Sequence, residues 1–312
     1  MNEISFLGCE FSAFKPEDRG RLTDFLNQYP QPLTGYTFST LAAWASYFHY
    51  GWAFAGAETL LISCVLDPDP PLHLLQPIGP ISPQVSHQIL KSAADLPYPL
   101  KIIGVSDAFL KANIDFARSF AFHEDRAVSN YLYRAESLAK LAGRKYSKKR
   151  NLLSQASSLY SWTCQQLTSD LIDLCFRVLE SIIEEEHPPM EGMLAREVAA
   201  LECTLRHFDD FGQQGILLSV NGRPVAFSIY EAISPTTVAV HFERALRSFK
   251  GLYQIVNWEM AKIAVSHGFE FINREEDVGD AGLRDAKMSY HPIEIIPAYE
   301  LTYQKNISED TR

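Results

Sequence analysis

The chain has 312 residues, 46% hydrophobic and 21% charged, with a formal net charge of −10. This is ordinary globular composition, and the length exceeds what one core usually serves, so two domains are expected. The acidic balance argues against indiscriminate coating of nucleic acid but leaves room for a local basic patch.

The first residues, Met1 to Phe14, lack a basic segment followed by an apolar one, so no signal peptide is read. Phe11–Pro16 reads as a strand, and a helix starts near Pro16 with Glu17 and Asp18 in its first turn. From Phe25 to Ala57 there is no Lys, Arg, Asp or Glu. Pro30, Pro32, Gly35, His49 and Gly51 interrupt that stretch, no run of about 18 apolar residues survives, and "LAAWASYFHY" is expected to be a buried aromatic helix of a soluble protein. Trp52–Asp67 is strand material. The Pro-rich segment Asp67–Pro83 is expected to be a loop flanking an edge strand. Val85–Leu96 reads as a helix, and Lys101–Ser106 and Ser129–Ala135 as strands.

Leu138–Tyr160 is expected to be a helix or helix pair broken at Gly143. Trp162–Thr168 then reads as a strand, and Ser169–Glu186 and Leu194–Phe208 as helices. A hairpin follows, with Asn221-Gly222 as its two-residue turn. Thr237–Leu246 is a strand, Gly251–Gly268 a helix, Phe269–Glu275 a strand, Ala281–Tyr290 a short helix and Ile293–Tyr303 a last strand. His187 with Pro188 and Pro189 reads as a helix end and loop, and the tail Asn306–Arg312 as disordered. The scattered cysteines Cys9, Cys64, Cys164, Cys175 and Cys203 have no CxxC spacing, which points to a reducing, cytoplasmic setting. The nine histidines show no metal-ligand spacing, so no metal site is expected.

Both halves therefore present the order strand, helix, helix, antiparallel strands, helix, strand, helix, strand. That is the order of GNAT-type acyltransferases, and the fold class expected is α+β: two tandem GNAT-like domains, 1–145 and 146–312, each a mixed sheet flanked by helices. Two segments carry a more specific resemblance. They hold Tyr131-x-Tyr133, Leu141-x-Gly143-Arg144-Lys145 and Lys148-Lys149-Arg150-Asn151, then Lys250-Gly251-x-Tyr253-Gln254, Asn273-Arg274-Glu275-Glu276-Asp277 and Leu283-Arg284-x-Ala286-Lys287-x-Ser289-Tyr290. Over Ser129–Asn151 and His241–Pro292 the sequence resembles the phosphatidylglycerol lysyltransferase C-terminal-domain family, relatives of the Fem aminoacyltransferases. The resemblance implies two tandem GNAT-like domains and transfer of an aminoacyl group from aminoacyl-tRNA. The chain lacks the membrane region of the lipid-modifying members, so the acceptor, a lipid or another hydroxyl or amine, stays open. A CoA-dependent N-acetyltransferase and a non-catalytic module binding tRNA or another anion are the alternatives.

Aminoacyl transfer needs donors for a developing oxyanion. On a helix, Arg284, Lys287 and His291 would share one face and Leu283, Ala286 and Tyr290 another, which would pack inward. Lys287 is the expected electrophilic residue, where the Fem resemblance also implies a lysine, with Arg284 beside it. Strand alternation puts Asn273 and Glu275 on one face and Arg274 on the other, and all three lie at the carboxyl end of their strand. There they would position an ammonium group, or form an ion-pair knot to the next helix with Asp280 as its N-cap. Glu243 is a candidate base or amine anchor. Arg247, Lys250, Gly251 and Tyr253 occupy the place of a pyrophosphate-binding loop but lack its second glycine, which argues against acetyl-CoA and leaves room for the aminoacylated end of tRNA. The run Arg144, Lys145, Lys148, Lys149, Arg150 contains no acid and would stack like charges at i, i+4, so it is the expected phosphate contact of a tRNA.

Overall fold

The computed structural model describes residues 4–66, 71–186 and 191–305, so His187 and the tail Asn306–Arg312 lie outside the described residues. The chain divides into two compact units, residues 1–129 with 296–312, and residues 130–295.

The first unit is built on strands β1 (Ile4–Phe6), β2 (Cys9–Ala13), β3 (Gly51–Ala55), β4 (Thr59–Val65), β5 (Leu72–Leu75), β6 (Lys101–Ser106) and β7 (Phe120–Glu124), with helices α1 (Arg19–Gln28), α2 (Phe38–Phe48), α3 (Pro83–Asp95), α4 (Asp107–Ala112) and α5 (Ile114–Ala117). β5 and β6 are parallel and the other described pairings antiparallel. All seven residues of β4 are buried, as an apolar run in a sheet covered on both faces should be. The aromatic helix is α2, eleven residues long, with Phe38, Leu41 and Ala43 in the core. Its cap is local: the Thr37 hydroxyl accepts from the Thr40 amide at 3.2 Å. The Pro-rich segment departs from expectation. Its proline-free centre, Leu72–Leu75, is an interior strand between β4 and β6, because the prolines flank the ladder and remove no donor from it.

The second unit holds β8 (Asn130–Arg134), β9 (Trp162–Gln166), β10 (Gln214–Val220), β11 (Arg223–Ala232), β12 (Thr237–Ala245), β13 (Phe271–Asn273) and β14 (Glu294–Ile296). Its helices are α6 (Ala135–Lys140), α7 (Ser147–Leu159), α8 (Ile172–Glu186), α9 (Gly192–Arg206), α10 (Leu252–Ser266) and α11 (Ala281–Met288). The sheet order is β14-β8-β13-β12-β11-β10-β9, with β12 and β13 parallel. Asn221 and Gly222 form the expected hairpin turn, at φ 51° and 77°, between Val220 and its partner Arg223.

Two mixed sheets flanked by helices match the α+β, tandem GNAT-like expectation. The division at 145/146 does not match the units. β8 pairs with β13 and so belongs with the later residues, although it precedes residue 145. The segment Ile293–Tyr303, expected as one strand, breaks at Pro297, which supplies no N–H. Beyond it β15 (Ala298–Tyr303) inserts between β6 and β7 of the first sheet.

Candidate active site

The parallel pairing of β12 with β13 covers only Thr237–Ala239 against Phe271–Asn273. β12 continues to Ala245, past the last residue it pairs on β13, which leaves a notch in the ladder at the carboxyl end of β13, where sheets of this kind present their sites. Two charge clusters fill it. His241 is the extra residue of a bulge in β12, since Ile229 pairs with Phe242 and Tyr230 with Val240. Its imidazole, 6% exposed, faces Glu275 from Nδ1 at 2.6 Å and Glu231 from Nε2 at 2.8 Å. Burial works against the cation there, but the Glu275 charge and the hydrogen bonds to both carboxylates outweigh it and raise the group to about 10. Next along the strand, Glu243 pairs with the Arg274 guanidinium. Arg274 lies 5.2 Å from the Tyr290 ring centre and 6.0 Å from that of Tyr133. With its amide oxygen inward, Asn257 accepts from Arg274 Nε at 3.3 Å and Nη1 at 3.1 Å. The Oε1 atom of Glu243 is buried without a hydrogen-bond partner among the described residues.

Lys287 is reached from α11, which Asp280 caps by accepting the Leu283 amide at 2.6 Å. The side chain is not on an outward edge. It is 8% exposed, and its ammonium donates to the carbonyls of Arg274 and Glu276. The expected faces of α11 are thus reversed in part: Lys287 and Tyr290 are buried, whereas Leu283 and Met288 are exposed and His291 stands at the surface. Burial lowers Lys287 to about 8 despite the nearby Glu276 charge. The two carbonyls account for two of the three N–H donors of the ammonium, and the third has no hydrogen-bond partner among the described residues. Beside it, burial and then the Glu275 charge push the Glu276 carboxyl up to about 7, the range of a general base at neutral pH.

The other named residues have structural partners. Arg284 makes a two-point pair with buried Asp277, Nε at 2.8 Å and Nη2 at 2.9 Å. Asp277 also accepts from the Tyr131 hydroxyl at 2.6 Å and the Gly279 amide at 3.0 Å. Arg284 is therefore the knot that ties strand end to helix, not an open catalytic cation. Asn273, fully buried, donates to Asn130 at 3.2 Å and accepts the Glu275 amide at 2.9 Å. Glu275, at φ 58°, is engaged by His241.

The loop before α10 carries its own anion. The amides of Arg247 and Ser248 donate to Glu185 Oε2 at 3.0 and 3.3 Å, and the Ser248 hydroxyl to Oε1. Lys250 offers its carbonyl to Tyr160, and Tyr253 is exposed on the first turn of α10. Gly251, at φ 84°, leaves space for Leu152 and Ala156, whose atoms would stand 3.2 Å from an added Cβ. Its glycine is explained by helix packing.

The basic run also divides. Arg144 and Lys145 lie in a 3₁₀ turn ahead of α7, so the run is not one helical stack. Arg150 donates to the carbonyls of Leu141 and Gly143. Lys149 turns inward, 3.8 Å from the Tyr290 ring centre, and burial with the Arg274 charge lowers it to about 8. Arg144, Lys145 and Lys148 remain exposed. The reading from sequence missed His241, Glu231, Glu276 and the tyrosines as site groups. The Tyr131-x-Tyr133 spacing, which places both rings on one face of β8, is the signal that could have found the tyrosines.

The sequence matches the family Phosphatidylglycerol lysyltransferase, C-terminal, over residues 26–302, and the chain belongs to it. Among solved structures, a conserved protein of unknown function from Bacteroides thetaiotaomicron is 28% identical, with 94% of this chain and 99% of that one covered at a TM-score of 0.86. L-PGS from Bacillus licheniformis is 14% identical, covering 95% and 94%, at 0.66. FemX is 10% identical, covering 94% and 97%, at 0.58. No curated protein matches the sequence. Among the described residues no helix is long and apolar enough to cross a membrane.

Proposed function

We propose that the protein transfers an aminoacyl group from aminoacyl-tRNA to an acceptor hydroxyl or amine, at the notch beside β13. The observation that carries this reading is Lys287, a buried ammonium with one uncommitted N–H at the carboxyl end of that strand, in a chain of the lysyltransferase family. The acceptor oxygen or nitrogen attacks the ester carbonyl, and the Lys287 N–H takes the oxyanion of the tetrahedral intermediate. Glu276 accepts the acceptor's proton and returns it to the leaving ribose oxygen. The unbonded Glu243 oxygen is the acceptor for the ammonium of the aminoacyl group.

Glu185 on the Arg247 and Ser248 amides supports a donor without pyrophosphate, since a carboxylate already holds the donors that acetyl-CoA would need. The test is incubation with tRNA charged with labelled lysine, then with other amino acids, in the presence of phosphatidylglycerol vesicles and of small hydroxyl and amine acceptors. Accelerated loss of the ester bond, with label in an acceptor, is expected. Charged tRNAs that decay no faster with the protein, alongside consumption of acetyl-CoA, would establish the N-acetyltransferase alternative instead.

A further inference from the structure

We propose that His241 is a positioning residue: held between Glu231 and Glu275, it fixes the reversed backbone at Glu275 whose flanking carbonyls grip Lys287. The role of this grip in turnover rests on the function proposed above, while the grip itself is a matter of geometry.

In an extended strand, carbonyls two residues apart point the same way but stand about 6.6 Å apart. That is too far for one ammonium to bond both well. The carbonyls of Arg274 and Glu276 both meet Lys287 because Glu275 between them takes a left-handed conformation, which only glycine adopts without penalty. Something must hold a glutamate there. Its amide donates to Asn273, its carbonyl accepts the Tyr131 amide at 3.1 Å, and its carboxylate, the end no backbone bond fixes, meets Nδ1 of His241 at 2.6 Å.

The histidine is itself fixed. A bulge re-aims its side chain from the β12 ladder, and Glu231 on β11 takes Nε2 at 2.8 Å. Between two ionised carboxylates a neutral imidazole, with one N–H, would turn a lone pair on one of them, so both bonds call for the cation. The charged and titratable groups around the grip, among the described residues, are Glu231 from β11, His241 and Glu243 from β12, Arg274, Glu275, Glu276 and Asp277 from the turn, Tyr131 and Tyr133 from β8, Lys149 from α7 and Tyr290 after α11, with Lys287 5.6 Å from the Tyr131 ring centre. Among them His241 touches the reversed residue from its side-chain end, and it touches no part of Lys287 among the described contacts. It acts through Glu275.

Two measurements test this. Nitrogen-15 histidine spectra of the native protein should show His241 protonated on both ring nitrogens at neutral pH; a neutral imidazole there would overturn the proposal. Competitive labelling of lysines with limiting acetic anhydride across pH, read by peptide mass spectrometry, follows Lys287 directly. In native protein Lys287 should titrate below the ordinary lysine value and label slowly. In folded His241→Gln its titration should move up toward that ordinary value and its labelling accelerate, because the turn relaxes and the amine reaches water. Folded His241→Gln with an unchanged Lys287 titration would overturn the proposal. If Lys287→Ala keeps its turnover while His241→Gln still shifts the Lys287 titration, the catalytic reading fails and the positioning stands.

Discussion

Arg284 and Asp277 meet through two parallel hydrogen bonds of 2.8 and 2.9 Å, and the carboxylate is buried while the guanidinium reaches water. Removing the arginine takes both of these charge-assisted hydrogen bonds away from a buried carboxylate. Arg284→Ala should therefore destabilise the fold and lower the melting temperature, with most turnover retained when assayed well below it. The arginine hydrogen bond holds Asp277 well below the usual carboxylate range. A depressed carboxyl stabilises the fold above its ordinary value and loses that contribution as pH falls through the folded one. Acid melts should show the native protein losing this advantage over Arg284→Ala only below about pH 4.

Lys287→Ala should fail on both counts. It removes the oxyanion donor, worth roughly 100-fold or more in rate. It also leaves two carbonyls without their donor, a cost of about 1–3 kcal/mol, which an exposed lysine would not have carried. Turnover and melting curves of Lys287→Ala beside Arg284→Ala separate catalyst from knot: the first variant should be inactive at temperatures where both are folded. Full turnover in it would end the catalytic claim.

Glu276 makes a pH prediction with a definite sign. Its carboxyl is raised from 4.5 to about 7 in the fold, so between those values the native state binds more protons than the unfolded one. Its contribution to stability therefore falls as pH rises across that window, while activity, which needs the carboxylate, rises toward a midpoint near 7. Glu276→Gln should abolish both dependences and slow transfer by about 100-fold, measured as pH–rate profiles and pH-dependent melts.

For the basic run, the structure separates what sequence joined. Replacing Lys145 and Lys148 with Gln should weaken tRNA binding and flatten its salt dependence, since each phosphate contact adds to that slope. Arg150→Ala should instead lower the melting temperature, because it frees the carbonyls of Leu141 and Gly143. Binding isotherms across a salt series that coincide with those of the native protein would leave Lys145 and Lys148 as solvated surface.

Much of the fold was legible because its signals are local. Asn221-Gly222 announces a hairpin and Asp280 a helix start, while Pro297 carries a strand end that the reading of Ile293–Tyr303 as one strand runs through. The other departures share one cause, long-range context. Leu72–Leu75 becomes an interior strand through β4 and β6 on either side of it. Lys287 lies inward rather than outward because two carbonyls await it. Periodicity assigns a lysine to water, and nothing in the spacing of α11 reveals a turn at Glu275 that collects carbonyls. His241 was silent for the same reason, since its partners Glu231 and Glu275 lie ten and thirty-four positions away.

The strand Ala298–Tyr303 lies between β6 and β7, and this bears on how the protein is made. During synthesis from the amino terminus, nearly two hundred residues emerge between Ser106 and Ala298. For all that time the edges of β6 and β7 that will receive β15 have no partner. The first unit is therefore the last to close, although it begins first. Ribosome-bound chains stopped before Ala298 should carry a sheet with an open seam, and exposed seams recruit foreign strands.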